Sequence, residues 1–131
     1  MPTYRGSCHC GAVKFEIDAD LSRLVRCTCS LCTKKGGVFK VVPDENLRVL
    51  QGADALTLYR FNTKVAKHYF CRHCGIHPFG RPRSAPDRNL INIRCLDDFD
   101  LETATYETDV FDGRNWDAAF AARHPHGRAD G

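Results

Sequence analysis

Gly6-Ser7-Cys8-His9-Cys10-Gly11 near the start of the chain and Phe70-Cys71-Arg72-His73-Cys74-Gly75 in its middle decide how this sequence folds. Each stretch holds two cysteines one or two residues apart, followed at once by glycine. Thiolates this close on a tight turn converge on one small soft cation, which is how tetrahedral zinc sites are assembled. Glycine after the pair admits the positive φ of a knuckle turn, in which backbone amides point at sulfur. The pairs are separated by 60 residues, so a cation held by Cys8, Cys10, Cys71 and Cys74 joins the start of the chain to its middle. Four ligands close the site, and its binding free energy acts as folding free energy.

A third cluster is different. Cys27-Thr28-Cys29-Ser30-Leu31-Cys32 offers three thiolates, C-x-C-x-x-C. Three protein ligands and one open position is the arrangement used by catalytic zinc. Positions two apart do not face each other on a helix, so the spacing predicts a loop. A substrate thiol at the open position would ionise near neutral pH, because coordination stabilises the thiolate. The chemistry in reach is metal-templated formation or cleavage of a C–S bond. The competing reading is a second closed site with Cys95 as fourth ligand. Cys95 lies in the apolar run Ile91-Asn92-Ile93-Arg94-Cys95-Leu96, where a lone cysteine also serves as a small core residue.

Composition bounds the rest. A chain of 131 residues with 43% hydrophobic and 27% charged residues fits one soluble globular domain with a modest core. No apolar run approaches the ~20 residues of a membrane span. Met1-Pro2-Thr3-Tyr4-Arg5-Gly6 runs into the first cysteine pair without a signal-peptide apolar segment. The expectation is a cytoplasmic protein with reduced thiols, and clustered cysteines in that setting read as metal ligands rather than disulfides. Four thiolates around one Zn²⁺ contribute a net −2 and three around another a net −1, which cancels the formal +3. Basic residues are scattered, so no polyanion footprint is visible, and neither nucleic acid nor membrane is an expected partner.

Period-two hydrophobicity dominates, as strands require. Ala12 to Ile17 alternates cleanly, and further strand-like runs are Leu24 to Arg26, Val38 to Val42, Leu47 to Leu50, Leu56 to Phe61, Ala66 to Phe70 and Leu90 to Leu96. Gly36-Gly37, Pro43-Asp44, Gly52-Ala53 and the stretch 83–87 punctuate them. Only Trp116 to Arg123 reads as a helix, with Asn115 as its cap. The expected organisation is one mainly-β domain over residues 1–123 and a mobile tail over 124–131.

Gly6 to Phe15, the triplet and Phe70 to Gly75 resemble the glutathione-dependent formaldehyde-activating enzyme family. Within it the chain is most similar to the centromere protein V-like branch, on Cys32-Thr33-Lys34-Lys35, Tyr59 to Thr63, Pro82-Arg83-Ser84, Cys95-Leu96-Asp97 and Phe111 to Trp116. The resemblance implies a β-tent fold of the Mss4-like kind with a short C-terminal helix. It assigns Cys8, Cys10, Cys71 and Cys74 to a structural zinc and Cys27, Cys29 and Cys32 to a catalytic zinc, two per chain. The implied activity is that of a carbon–sulfur lyase acting on a glutathione adduct of formaldehyde or a similar small electrophile.

Candidates to hold the substrate carboxylates are Lys34, Lys35, Arg60, Arg72, Arg81, Arg83 and Arg94. Arg81 and Arg83, flanking Pro82 soon after the second pair, lead among them. His68 and His77 stand three residues either side of that pair and can carry protons, since imidazole titrates near neutrality. His9 and His73 sit inside the pairs, where an intervening residue projects away from the turn. Two rival readings remain. One is a non-catalytic zinc module with two closed sites that binds a protein or peptide. The other is a methionine sulfoxide reductase-like enzyme that uses Cys95.

Overall fold

Alternation along Lys14–Asp18 (β2) puts Phe15 and Ile17 on one face, and both are fully buried. On either side β2 pairs antiparallel with Thr3–Ser7 (β1) and Leu47–Gln51 (β5), giving a three-stranded sheet. The other strands are Arg23–Cys27 (β3), Phe39–Val42 (β4), Leu56–Tyr59 (β6), Lys67–Cys71 (β7), Phe79–Arg81 (β8), Asn89–Asn92 (β9) and Glu107–Phe111 (β10). They form a seven-stranded sheet in the order β10-β3-β4-β9-β8-β7-β6. Among the described residues only the β10–β3 pairing is parallel, and every other pair is antiparallel. The computed structural model describes residues 1–123, and the protein is mainly β. The tail expected at 124–131 lies outside the described residues.

The core contains the inward residues of both sheets. Phe15 meets Phe79 edge to face at 5.4 Å between ring centroids, and Val13, Ile17, Leu24, Ile91 and Ile93 join the same buried cluster. Burying each such side chain contributes about 1.5–3 kcal/mol of transfer free energy. The start of β1 is tied to a distant segment: Asp98 accepts from the Arg5 amide at 3.1 Å, and Ser7 Oγ donates to Asp97 at 3.0 Å. Gly6 bridges to Leu96 in the same place.

Several local expectations are corrected. A second helix, Ser30–Lys35 (α1), follows β3, so Trp116–Arg123 (α2) is not the only one. Asn115 does not cap α2. It belongs to a 3-10 turn over Gly113–Asn115 that leads straight into the helix, and its side chain donates to Asp112 at 2.8 Å. The run Leu90 to Leu96 is a strand only as far as Asn92. It then tightens into a 3-10 turn over Ile93–Cys95, capped by the Asn92 side chain. Strands β1, β8 and β10 lack apolar alternation and were not among the expected runs.

His77 packs against Phe39 of β4, whose ring centroid lies 6.2 Å away. Its Nδ1 donates to the Tyr69 carbonyl at 2.6 Å, while its Nε2 is buried without a partner. Desolvation, reinforced by the Lys35 charge, pushes its pKa down to about 3. The folded state therefore refuses a proton that the unfolded chain accepts below its ordinary pKa of about 6.5. His77's contribution is intact above about pH 6.5 and lost as pH falls toward the folded value. His77→Gln can still donate to the Tyr69 carbonyl but does not titrate. Its stability deficit relative to the parent should narrow by about 1–2 kcal/mol between pH 7 and pH 5 in urea denaturation at matched zinc. Parallel pH profiles would contradict this.

Candidate metal centres and the adjoining cavity

The two glycine-terminated pairs form matching knuckles. In the first, the Cys8 amide donates to the Val13 carbonyl at 3.1 Å, and the Gly11 amide to the Cys8 carbonyl at 3.2 Å. In the second, the Cys71 amide donates to Ile76 at 2.9 Å and the Gly75 amide to Cys71 at 2.8 Å. Gly11 and Gly75 have φ of +82° and +78°, which a side chain would strain. Amides of Val13 and His73 point at the sulfurs of Cys8 and Cys71, at 3.3 and 3.4 Å. The sulfurs of Cys8, Cys10, Cys71 and Cys74 all lie within 4.8 Å of one another. Cys8–Cys10 is 3.6 Å and Cys10–Cys71 is 3.7 Å. A tetrahedron with metal–sulfur bonds of about 2.3 Å has edges of about 3.8 Å, so this donor set is compatible with zinc. His9 and His73 are exposed and outside the cluster.

The sulfurs of Cys27, Cys29 and Cys32 also fall within 4.8 Å of one another. The triplet is not a loop throughout. Cys27 ends β3, Cys29 is the N-cap of α1, and Cys32 lies in its first turn. Cys27 and Cys29 are two apart and need the strand end, whereas Cys29 and Cys32 have the spacing that a first helical turn brings together. Cys29 Sγ accepts from the Cys32 amide at 3.3 Å, and Cys27 Sγ accepts from the Cys29 amide at 3.4 Å. Hydrogen bonds from Cys27 and Cys32 lower the Cys29 thiol to about 2, while those same contacts raise Cys27 and Cys32. A divalent cation would replace the thiol protons and let all three sulfurs ionise.

A distant segment holds this cluster in shape. Parallel pairing sets Phe111 of β10 against Cys27 of β3. Beyond it, the Thr28 amide donates to the Phe111 carbonyl at 3.0 Å, and Thr28 Oγ1 donates to Asp112 at 2.6 Å. Gly113 then passes so close that a Cβ on it would lie 2.7 Å from Cys27 Sγ and 2.7 Å from Cys29 Cβ. The cradle around the sulfurs exists because this residue has no side chain. Gly113 was missed as a site residue; its only sequence signal is a glycine next to the Asp112 that anchors the triplet.

The triplet opens on a cavity of about 160 Å³. All three cysteines line it, with Phe61, His68, Arg83, Phe111, Gly113 and Trp116 among its other walls. His68 is buried, its Nδ1 accepts from Lys35 Nζ at 3.4 Å, and its Nε2 has no partner among the described residues. Desolvation and the Lys35 charge push its pKa down to about 4, so it is neutral at physiological pH. The two leading arginines part ways. Arg81 is engaged by Asp44 at 2.8 Å and by the Pro86 carbonyl at 3.3 Å. Arg83 faces the cavity, its guanidinium 3.7 Å from the Trp116 ring centroid. Lys34, Arg60 and Arg72 are exposed, and Arg94 donates to the Gly36 carbonyl at the end of α1. Cys95 is 8% exposed, belongs to the core cluster, and its Sγ meets the His77 carbonyl at 3.6 Å. Burial, and then the nearby Cys8, push its thiol up to about 12. It is not a member of either sulfur cluster.

The Gly113 contact is testable directly. Gly113→Ala should keep the fold, retain metal at the four-cysteine cluster and lose it at the triplet, halving zinc per chain by atomic spectroscopy. Unchanged zinc content would mean that the cradle tolerates a methyl group.

The model of the glutathione-dependent formaldehyde-activating enzyme family matches residues 3–113. A Halomonas elongata protein is 30% identical over 107 residues, which covers 65% of this chain and 66% of that protein. One from Talaromyces marneffei is 32% identical over 80 residues, covering 56% of this chain and 42% of that one. The names of both assign them provisionally to glutathione-dependent formaldehyde activation. The chain thus spans 42% and 66% of the length of these curated relatives. A crystal structure of a Rhodobacter sphaeroides protein superposes with a TM-score of 0.73 at 37% identity, covering 79% of this chain and 97% of that one. The family match takes in both knuckles, the triplet and the glycine that shapes it, and the chain belongs to the glutathione-dependent formaldehyde-activating enzyme family.

Proposed function

We propose that the protein is a zinc-dependent enzyme of the carbon–sulfur lyase type, acting on the adduct of glutathione with an aldehyde-like electrophile. The observation that carries this reading is the asymmetry of the two clusters. One has four sulfurs; the other has three, and they line a cavity large enough to admit a ligand. Zinc at the triplet would supply a soft Lewis-acid position that favours the thiolate form of an incoming thiol.

The chain's own residues would do the rest. Cys27, Cys29 and Cys32 fix the position at which the thiol sulfur is received. Three thiolates on a dication leave one negative charge, and Lys35 stands near enough to offset it. Burial lowers the Lys35 pKa, while Cys32, Cys29 and Cys27 pull it the other way. Arg83 at the cavity wall is suited to a glutathione carboxylate, since its guanidinium carbon sits 3.7 Å over the Trp116 ring and its N–H groups can serve an acceptor. Its nearest acidic partner, Asp117, is 3.8 Å away and 94% exposed, a contact that costs little to exchange. Arg81, tied to Asp44, supports the strand end that carries Arg83. His68, neutral and buried, closes the inner wall against water.

In the condensing direction the thiol sulfur bonds to the carbonyl carbon. The carbonyl π pair passes to oxygen, which takes the proton that the thiol gives up. Cleavage reverses each of these changes, and no oxidant is consumed in either direction.

Two variants separate the clusters. Cys71→Ser should cost folding and solubility, because it removes a ligand from the site that joins distant parts of the chain. Cys29→Ser should leave a folded protein with one zinc and no response to glutathione by calorimetry. Unfolding of Cys29→Ser would sink the enzyme reading and favour two structural sites.

A further inference from the structure

A one-carbon electrophile needs almost no room beyond the sulfur that receives it. The cavity next to the triplet offers much more, and most of that is hydrocarbon. Val25, Val41, Leu90, Phe61, Phe111 and Trp116 all line it. Three of these six are aromatic, and their rings are held by other rings. Phe61 stacks on Tyr59 at 5.9 Å and Trp116 stacks on Phe120 at 4.9 Å, while Phe111 meets Trp116 edge to face at 6.2 Å. Trp116 lies between Phe120 and Arg83, so the hydrocarbon left for a ligand is chiefly Phe61, Val25, Val41 and Leu90, and covering it with something apolar is favourable.

Polar groups are placed differently. Arg83 and Arg123 line the same cavity, each against an aromatic wall, with Arg83 over Trp116 at 3.7 Å and Arg123 over Phe111 at 5.2 Å. Two cations at the walls, hydrocarbon between them and three sulfurs at one side match a molecule of a definite kind. It is anionic at one part, apolar at another, and bears sulfur where the two meet.

We infer that the site takes a glutathione adduct whose electrophile-derived part is a flat, ring-sized apolar group, in preference to a one-carbon unit. The carboxylates of the tripeptide meet Arg83 and Arg123, and the ring packs against Phe61, Val25, Val41 and Leu90. This inference rests on the thiol-adduct reading above and narrows its substrate class. The bond changes are those already written, with an aromatic aldehyde or its equivalent in place of formaldehyde.

The test compares S-benzylglutathione with S-methylglutathione on the zinc-loaded full chain, with glutathione itself as reference. Trp116 is the single tryptophan, so its fluorescence reports occupation of this cavity, and calorimetry gives affinity. The S-benzyl compound should bind at least about tenfold more tightly than the S-methyl compound. Phe61→Ala, a substitution at a partly exposed wall residue that holds no metal, should shrink that ratio several-fold. Equal affinities, or a preference for S-methyl, would overturn the ring-sized class while leaving the thiol reading intact. Failure of all three compounds to bind would overturn both.

Discussion

Four sulfurs drawn from positions 8, 10, 71 and 74 lie within 4.8 Å of one another, and ionised sulfurs stay that close only around a cation. A cation held there would link the two sheets. Cys8 and Cys10 follow β1 in the small sheet, and Cys71 ends β7 in the large one. Between them sit Phe15 and Phe79, edge to face in the core. The chain buries a modest core, and a metal held by these sulfurs would contribute folding free energy where apolar burial alone is limited. The backbone is organised around the sulfur cluster as well, since each knuckle points an amide at sulfur and has its glycine in a left-handed turn.

The triplet uses the same local chemistry for a different end. Its sulfurs are also cradled by amides, but the surrounding scaffold is assembled from sequence neighbours and from residues more than eighty positions away. The β10–β3 pairing brings Asp112 onto Thr28 and Gly113 onto Cys27 and Cys29. The cluster thus sits at the end of the large sheet, between α1 and the turn that precedes α2, with its open side toward the cavity. A site held by segments more than eighty positions apart is positioned firmly.

Cysteine spacing made both clusters legible in the sequence, because ligand geometry is local and leaves a local trace. The positive φ after each pair was legible for the same reason. Strands with a clean alternation, such as β2, could be read; β10 could not, since Glu107-Thr108-Asp109-Val110-Phe111 is held by pairing and by Arg23 ion pairs rather than by a buried face. Helix α1 was hidden because its register is set by Cys29 acting as a cap, a role cysteine seldom signals. Which arginine faces the cavity was equally hidden. Arg81 and Arg83 look alike in sequence, and only the tertiary structure gives Asp44 to one and Trp116 to the other. The same holds for Cys95, whose apolar neighbours fit either a core residue or a ligand until its sulfur is found against the His77 carbonyl.

The central claim is that the triplet holds a cation with a position open to a thiol, while the four-cysteine cluster is closed. Cobalt(II) substitution tests it most directly, because thiolate-to-cobalt charge-transfer absorption grows with each added sulfur ligand. Two cobalt ions per chain should bind, and glutathione should intensify the band in the parent protein but not in Cys29→Ser. A spectrum indifferent to glutathione, with both ions already in full four-sulfur coordination, would contradict the account.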